Sequence, residues 1–97
     1  MFRHVVMFKL KEEATEGQVA DFLADLATLP EIVPQVRAFS AGRDVGVNPG
    51  NFDFSAVVDF EDVAGYLTYR DHPEHQRMIR EKGSVIIAQR SAVQFEF

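Results

Sequence analysis

Ten residues, Tyr66-Leu67-Thr68-Tyr69-Arg70-Asp71-His72-Pro73-Glu74-His75, gather two phenols, two imidazoles and two carboxylates across a proline. An imidazole near its ordinary pKa of about 6.5 takes a proton at neutral pH, and a phenol donates a hydrogen bond to a carbonyl oxygen that is becoming an enolate. Tyr69 and His75 are therefore the candidate catalytic pair, suited to enolisation. Over the six residues between them an unbroken helix would turn by about 600° and rise by about 9 Å. A break at Pro73 is what lets both side chains converge. The competing reading is structural: His72 caps a helix beginning at Pro73, His75 is a half-exposed surface imidazole, and both tyrosines are packing residues with wet tips.

His4 is the polar member of an otherwise apolar set, Phe2, Val6 and Phe8, so it is either a satisfied core histidine or a third pocket residue. His72 and His75 are three residues apart and could approach a metal from one helix face, but no third ligand accompanies them and no metal site is assigned. Gly42 to Gly50 lacks both the GxGxxG spacing and a GK[ST] ending, so it reads as a turn-rich loop and not as a phosphate cradle.

These residues must be held by a small scaffold. Residues 2 to 10 alternate as a strand, with Val5 and Met7 making its second face partly apolar. Thr15 and Gln18 form a capping-box pattern, and Val19, Phe22, Leu23, Leu26 and Leu29 follow on one helical stripe that Pro30 is expected to end. Val33-Pro34 is extended, a second strand runs from about Val36 to Gly42, Arg43 to Asn51 is a turn-rich loop, and Gly42 to Asn51 is expected to be the most mobile internal segment and to cover or border the mouth of a barrel formed by two copies. Phe52 to Phe60 alternate as a third strand. A short helix follows Glu61-Asp62, a second helical piece runs from Pro73 until Gly83 stops it, and Val85 to Phe97 form the last strand.

The order βαββαβ predicts an α+β, ferredoxin-like fold, a four-stranded antiparallel sheet with helices on one face. The other face is left bare. If Phe2, Val6, Phe8, Phe54, Val58 and Phe95 share it, a monomer exposes a large apolar patch, and two sheets facing each other as a homodimer would bury it. Phe54→Asp would then break the dimer.

Composition narrows the partners. The chain has 97 residues, room for one domain spanning 1–97, and its net charge of −5 repels a phosphate backbone, so nucleic acid is not an expected partner. No cysteine is present, which excludes thiolate nucleophiles and thiolate metal sites. No apolar run approaches the roughly 20 residues of a membrane span, and the chain enters a strand pattern without a signal-peptide h-region, so no membrane partner and a cytoplasmic location are expected.

The residues resemble one family over nearly the whole chain, the Dabb or stress-responsive α/β-barrel domain. The resemblance is carried by His4-Val5-Val6-Met7-Phe8-Lys9-Leu10, by Leu29 to Val36 with Val33-Pro34, by Gly42-Arg43-Asp44, by Phe52 to Phe60, and by Tyr69-Arg70-Asp71-His72-Pro73-Glu74-His75. It implies a dimeric α/β barrel. It also implies, from a plant member that cyclises a polyketide by aldol condensation, a site at Tyr69 and His75 with His4 nearby. Another pocket histidine of that cyclase corresponds to Phe54, and an aspartate of the family's last strand is replaced by Gln94. Candidate ligand-binding residues are Val6, Phe8, Phe54, Ala56 and His72; no cofactor is implied. Some plant members hold a magnesium ion on backbone carbonyls near the stretch matching Pro30 to Val36. The implied functions, in order, are binding of a small hydrophobic ligand inside a homodimeric barrel, a cofactor-independent cyclase or lyase, and a cofactor-free monooxygenase.

Overall fold

A computed structural model describes residues 1–97. Four strands, β1 (Phe2–Leu10), β2 (Val36–Arg43), β3 (Phe54–Phe60) and β4 (Ile87–Glu96), form one antiparallel sheet in the order β2-β3-β1-β4. The first strand is thus central, hydrogen-bonded on both sides. The helices are α1 (Glu16–Leu26), α2 (Leu29–Ile32), α3 (Val63–Asp71), α4 (Pro73–Met78) and α5 (Ser84–Ile86), with a π-helical turn at Ile79–Gly83 between the last two. This is the ferredoxin-like arrangement that the element order predicts.

Helix α1 starts where its capping box requires: Gln18 N–H donates to Thr15 Oγ1 at 3.1 Å, and Thr15 N–H donates to Gln18 Oε1 at 2.9 Å. Its stripe of Val19, Phe22 and Leu26 is buried against the sheet together with Leu29, Val33, Met78 and Ile86. Phe22 is fully enclosed, in edge contact with Phe8 and Phe54 at ring-centroid distances of 6.4 and 6.2 Å. Removing it to alanine would cost about 3–5 kcal/mol in lost transfer energy and cavity.

Three local expectations are corrected. Pro30 does not end α1, which stops at Leu26; Pro30 lies in the first turn of α2, where its missing N–H costs no hydrogen bond. Gly83 does not stop the second helical piece. Its backbone stays helical, and a Cβ there would lie 3.2 Å from the Phe22 ring, so glycine lets the wide turn rest on the core. The third strand begins at Phe54 and the fourth at Ile87, each two residues inside the predicted start.

The fourth correction concerns which face is which. Phe2, His4, Val6, Phe8, Phe54, Ala56 and Val58 are buried under the helices, on the covered face. Phe95 pairs with Arg3, on the opposite parity, so it does not share a face with Phe2. The helix-free face carries Val5, Met7, Val57, Val93 and Phe95, with Met7, Val93 and Phe95 exposed. Alternation alone cannot show which parity the helices cover, because both faces of β1 are apolar.

The Gly42–Asn51 segment contributes no residue to the cavity described below. Its exposed Val45 and Val47 leave it unpacked, yet it is braced from within. Asp44 accepts from Gly46 N–H at 2.9 Å and from Asn51 Nδ2 at 3.0 Å, and Gly46 and Gly50 take the positive φ values of 79° and 84° that glycine alone adopts freely.

Candidate functional site

Between the sheet and the helical segment 66–87 lies a cavity of about 330 Å³, at the small end of the roughly 300–1,000 Å³ typical of small-molecule sites. Its floor is strand β1, through His4, Val6 and Phe8, with Ala56 beside them; its walls are Leu26, Ile79 and Ile87; and Tyr66, Tyr69, His75, Gln76, Arg70 and Arg90 supply polar groups. The period of two along β1 aligns the first three residues, and the helical segment lies across them.

Tyr69 lies in the last turn of α3 and His75 belongs to α4. Between them His72 adopts an extended backbone (φ −62°, ψ 133°), which is the break the sequence requires. Across it the rings of Tyr69 and His75 stand with centroids 4.4 Å apart and planes 34° apart. Tyr69 is buried, and desolvation raises its pKa, so the phenol stays protonated as a donor. No protein group hydrogen-bonds to its hydroxyl, and that oxygen is not sealed off in the core, so it faces the cavity that Tyr69 lines.

His75 is half-buried, and Nδ1 lies 3.0 Å from the Arg70 carbonyl oxygen. A carbonyl only accepts, so Nδ1 carries the proton and Nε2 keeps its lone pair. Desolvation lowers the pKa of His75, with the Arg70 carbonyl opposing and Arg90 and His72 adding to the shift. The neutral, proton-accepting form therefore prevails at neutral pH.

His4 is buried and its Nδ1 lies 2.9 Å from Gln94 Nε2, an amide nitrogen that donates. This assigns the His4 proton to Nε2, the reverse of His75. Burial, then the charges of Arg90 and His75, push its pKa down to about 4. Tyr66 covers the ring at a centroid distance of 5.0 Å. The cavity thus offers one imidazole as an N–H donor and another as a base.

Of the residues singled out from sequence, Tyr69, His75, His4, Val6, Phe8 and Ala56 line the cavity; Phe54 and His72 do not. Phe54 is the cross-strand partner of Phe8, stacks on it at 4.7 Å and is buried in the core beside the floor, against Phe22. His72 is committed to the α4 N-terminus, its Nδ1 accepting from Glu74 N–H at 3.1 Å. Its place beside a proline signals that capping role. Leu26, Ile79, Ile87 and Arg90 were missed. The register that sets Arg90 opposite Phe8, Ala92 opposite Val6 and Gln94 opposite His4 would have found Arg90, had the pairing of β4 been known.

Within the stretch from Pro30 to Val36 the Val33 carbonyl accepts from the Val36 amide, and no group of three or more His, Asp or Glu side chains converges there or elsewhere.

Comparison with known proteins places these residues in a lineage. The sequence pattern of the stress responsive A/B barrel domain (Dabb) matches residues 2–97. Olivetolic acid cyclase of Cannabis sativa is 29% identical over 75 residues, covering 75% of this chain and 74% of the cyclase. Among solved structures, a dimeric ferredoxin-like protein of unknown function from Thermobifida fusca superposes with a TM-score of 0.90 at 32% identity, over 99% of this chain and 90% of that one. A Dabb family protein with a ferredoxin-like fold from Mesorhizobium loti gives 0.83 at 25% identity, over 99% and 95%. No helix is long and apolar enough to cross a membrane. With its fold, its histidine-bearing first strand and a pattern match over residues 2–97, the chain belongs to the stress responsive A/B barrel domain family.

Proposed function

We propose that residues 1–97 act as one domain, that two copies pair through their helix-free sheet faces into a barrel, and that the cavity of each binds a small, largely apolar carbonyl compound. The observation carrying this reading is the apposition of Tyr69 and His75 on a mainly apolar cavity, with a free phenolic donor and an imidazole whose Nε2 is unprotonated. The dimer is supported by the exposed Val93 and Phe95 on the bare face and by the dimeric state of the Thermobifida relative.

The same geometry supports a second reading, cofactor-independent proton transfer. His75 Nε2 would take a proton from the carbon beside the ligand's carbonyl, while the Tyr69 hydroxyl donates to the oxygen as it gains negative charge. The resulting enolate carbon would attack a second carbonyl of the same molecule, forming a carbon–carbon bond, and the alkoxide would take up the proton that His75 holds. His4 Nε2–H would orient that second oxygen. Similarity to olivetolic acid cyclase, a cyclase by name, favours this chemistry.

Both readings are tested with an apolar 1,3-diketone such as 1-phenylbutane-1,3-dione. Binding should perturb the backbone resonances of Val6, Tyr69 and His75. Catalysed exchange of its α-protons with deuterium should fall about 100-fold in His75→Ala and in Tyr69→Phe, with the fold retained. Equal exchange in both variants and the parent would remove the proton-transfer reading; a ligand that perturbs none of the cavity residues would remove the binding reading.

A further inference from the structure

We propose that Arg90 is an anion anchor at this cavity and that the ligand is a small apolar carboxylic acid, its carboxylate held by the guanidinium and its body lying against Val6, Phe8, Leu26, Ile79 and Ile87. This rests on the small-molecule reading above and names the ligand class.

The charge distribution carries it. The chain has fifteen acidic residues, yet none is among the fifteen that line the cavity, whereas two arginines are. One of these is already neutralised: Arg70 Nε and a terminal nitrogen donate to Asp71 at 2.8 and 3.0 Å. Arg90 is different. Arg3, Arg37, Arg43, Arg77 and Lys82 all pair with carboxylates; Lys9, Lys11, Arg80 and Arg90 pair with none in the chain, and of these four only Arg90 lines the cavity. It projects from β4 opposite Phe8, on the covered parity, and its solvent-accessible position places it at the cavity rim. Its charge reaches the polar wall, since it lowers the pKa of both His4 and His75.

An acidic protein thus keeps one uncommitted guanidinium at the edge of an otherwise neutral, apolar cavity. That arrangement complements a carboxylate with an apolar tail. A guanidinium holds a carboxylate through two parallel, charge-assisted hydrogen bonds, and the arginine stem adds apolar wall.

The test compares two matched pairs, 4-phenylbutanoate with 4-phenylbutanamide and octanoate with octanamide, by titration followed through backbone resonances. The parent protein should bind each acid about tenfold more tightly than its amide, and Arg90→Gln should abolish that preference by weakening the acid far more than the amide, with the oligomeric state unchanged. Arg90→Lys should retain part of it. Equal affinity for acid and amide in the parent, or a preference that survives Arg90→Gln, overturns the anchor and leaves the small-molecule site standing. Failure of all four compounds to perturb the cavity residues overturns both. A fall in dimer affinity in Arg90→Gln with acid preference intact assigns Arg90 to the interface and overturns the anchor.

Discussion

The two faces of strand β1 are built from the same nine residues and serve opposite ends. On the covered side Phe2, His4, Val6 and Phe8 are all buried, and the packing there is tight except where the cavity opens beside Tyr69 and His75. On the bare side Val5 is half-covered and Met7 exposed, beside exposed Val93 and Phe95. That side also holds a buried charge: Asp59 accepts two bonds from Arg3, at 2.7 and 2.8 Å, while Arg3 lies 4.5 Å from the Phe97 ring centre. Apolar character alone does not separate the two faces. What separates them is enclosure: the covered face is closed by helices of the same chain, and the bare face is left open by it.

Four changes break or sharpen that contrast. The largest effect belongs to Phe54→Asp, which places a carboxylate in the stacked Phe8–Phe22–Phe54 cluster. It should cost more than about 4 kcal/mol and leave the protein unfolded or molten, as a lost cooperative thermal transition would show.

Second is the pH response of the covered face. His4 titrates near 4 when folded and near its ordinary 6.5 when unfolded. The unfolded chain therefore binds the proton first. The stability this group contributes is complete above about pH 6.5 and is lost as the pH falls towards 4, by about 3 kcal/mol in all. Denaturant midpoints measured from pH 7.5 to 4 should fall across that window, and His4→Phe should flatten the part of the decline due to this group.

Third, Phe95→Asp acts on the bare face. The fold should survive with a change of less than about 1 kcal/mol, while dimer dissociation, followed by sedimentation, should be at least about tenfold easier. A Phe95→Asp chain that stays as tightly dimeric as the parent would remove the proposed interface.

The smallest effect is expected from Gln94→Asp. A carboxylate beside Nδ1 favours the imidazolium and reverses the tautomer that Gln94 now sets, so the His4 pKa should rise by about one unit or more, read from its ring resonances. An unchanged titration would show that Gln94 does not govern His4.

How far the site was legible depends on the range of the interaction. Thr15 and Gln18, the Pro73 break and the His72 cap are local devices in which side chain and backbone act within a few residues, and each reads directly from spacing. The pairing of Tyr69 with His75 was also legible, because helical periodicity specifies that six residues cannot converge without a break. Phe54 and His72 lie outside the cavity lining for different reasons. Phe54 shares the right parity but its ring is taken up between Phe8 and Phe22, a packing that alternation does not encode, while the imidazole of His72 is engaged by its own helix.

The sequence by itself determined the four strands, the order of elements and hence the fold, because hydrophobic period, caps and prolines act over short distances. Tertiary structure alone decided which face of an apolar-on-both-sides strand the helices cover, that Gly83 packs on Phe22 in place of ending a helix, and that Arg90 and Gln94 lie opposite Phe8 and His4. Those outcomes depend on sheet register and on side chains from distant segments meeting, and a period of two is satisfied equally well by either register parity.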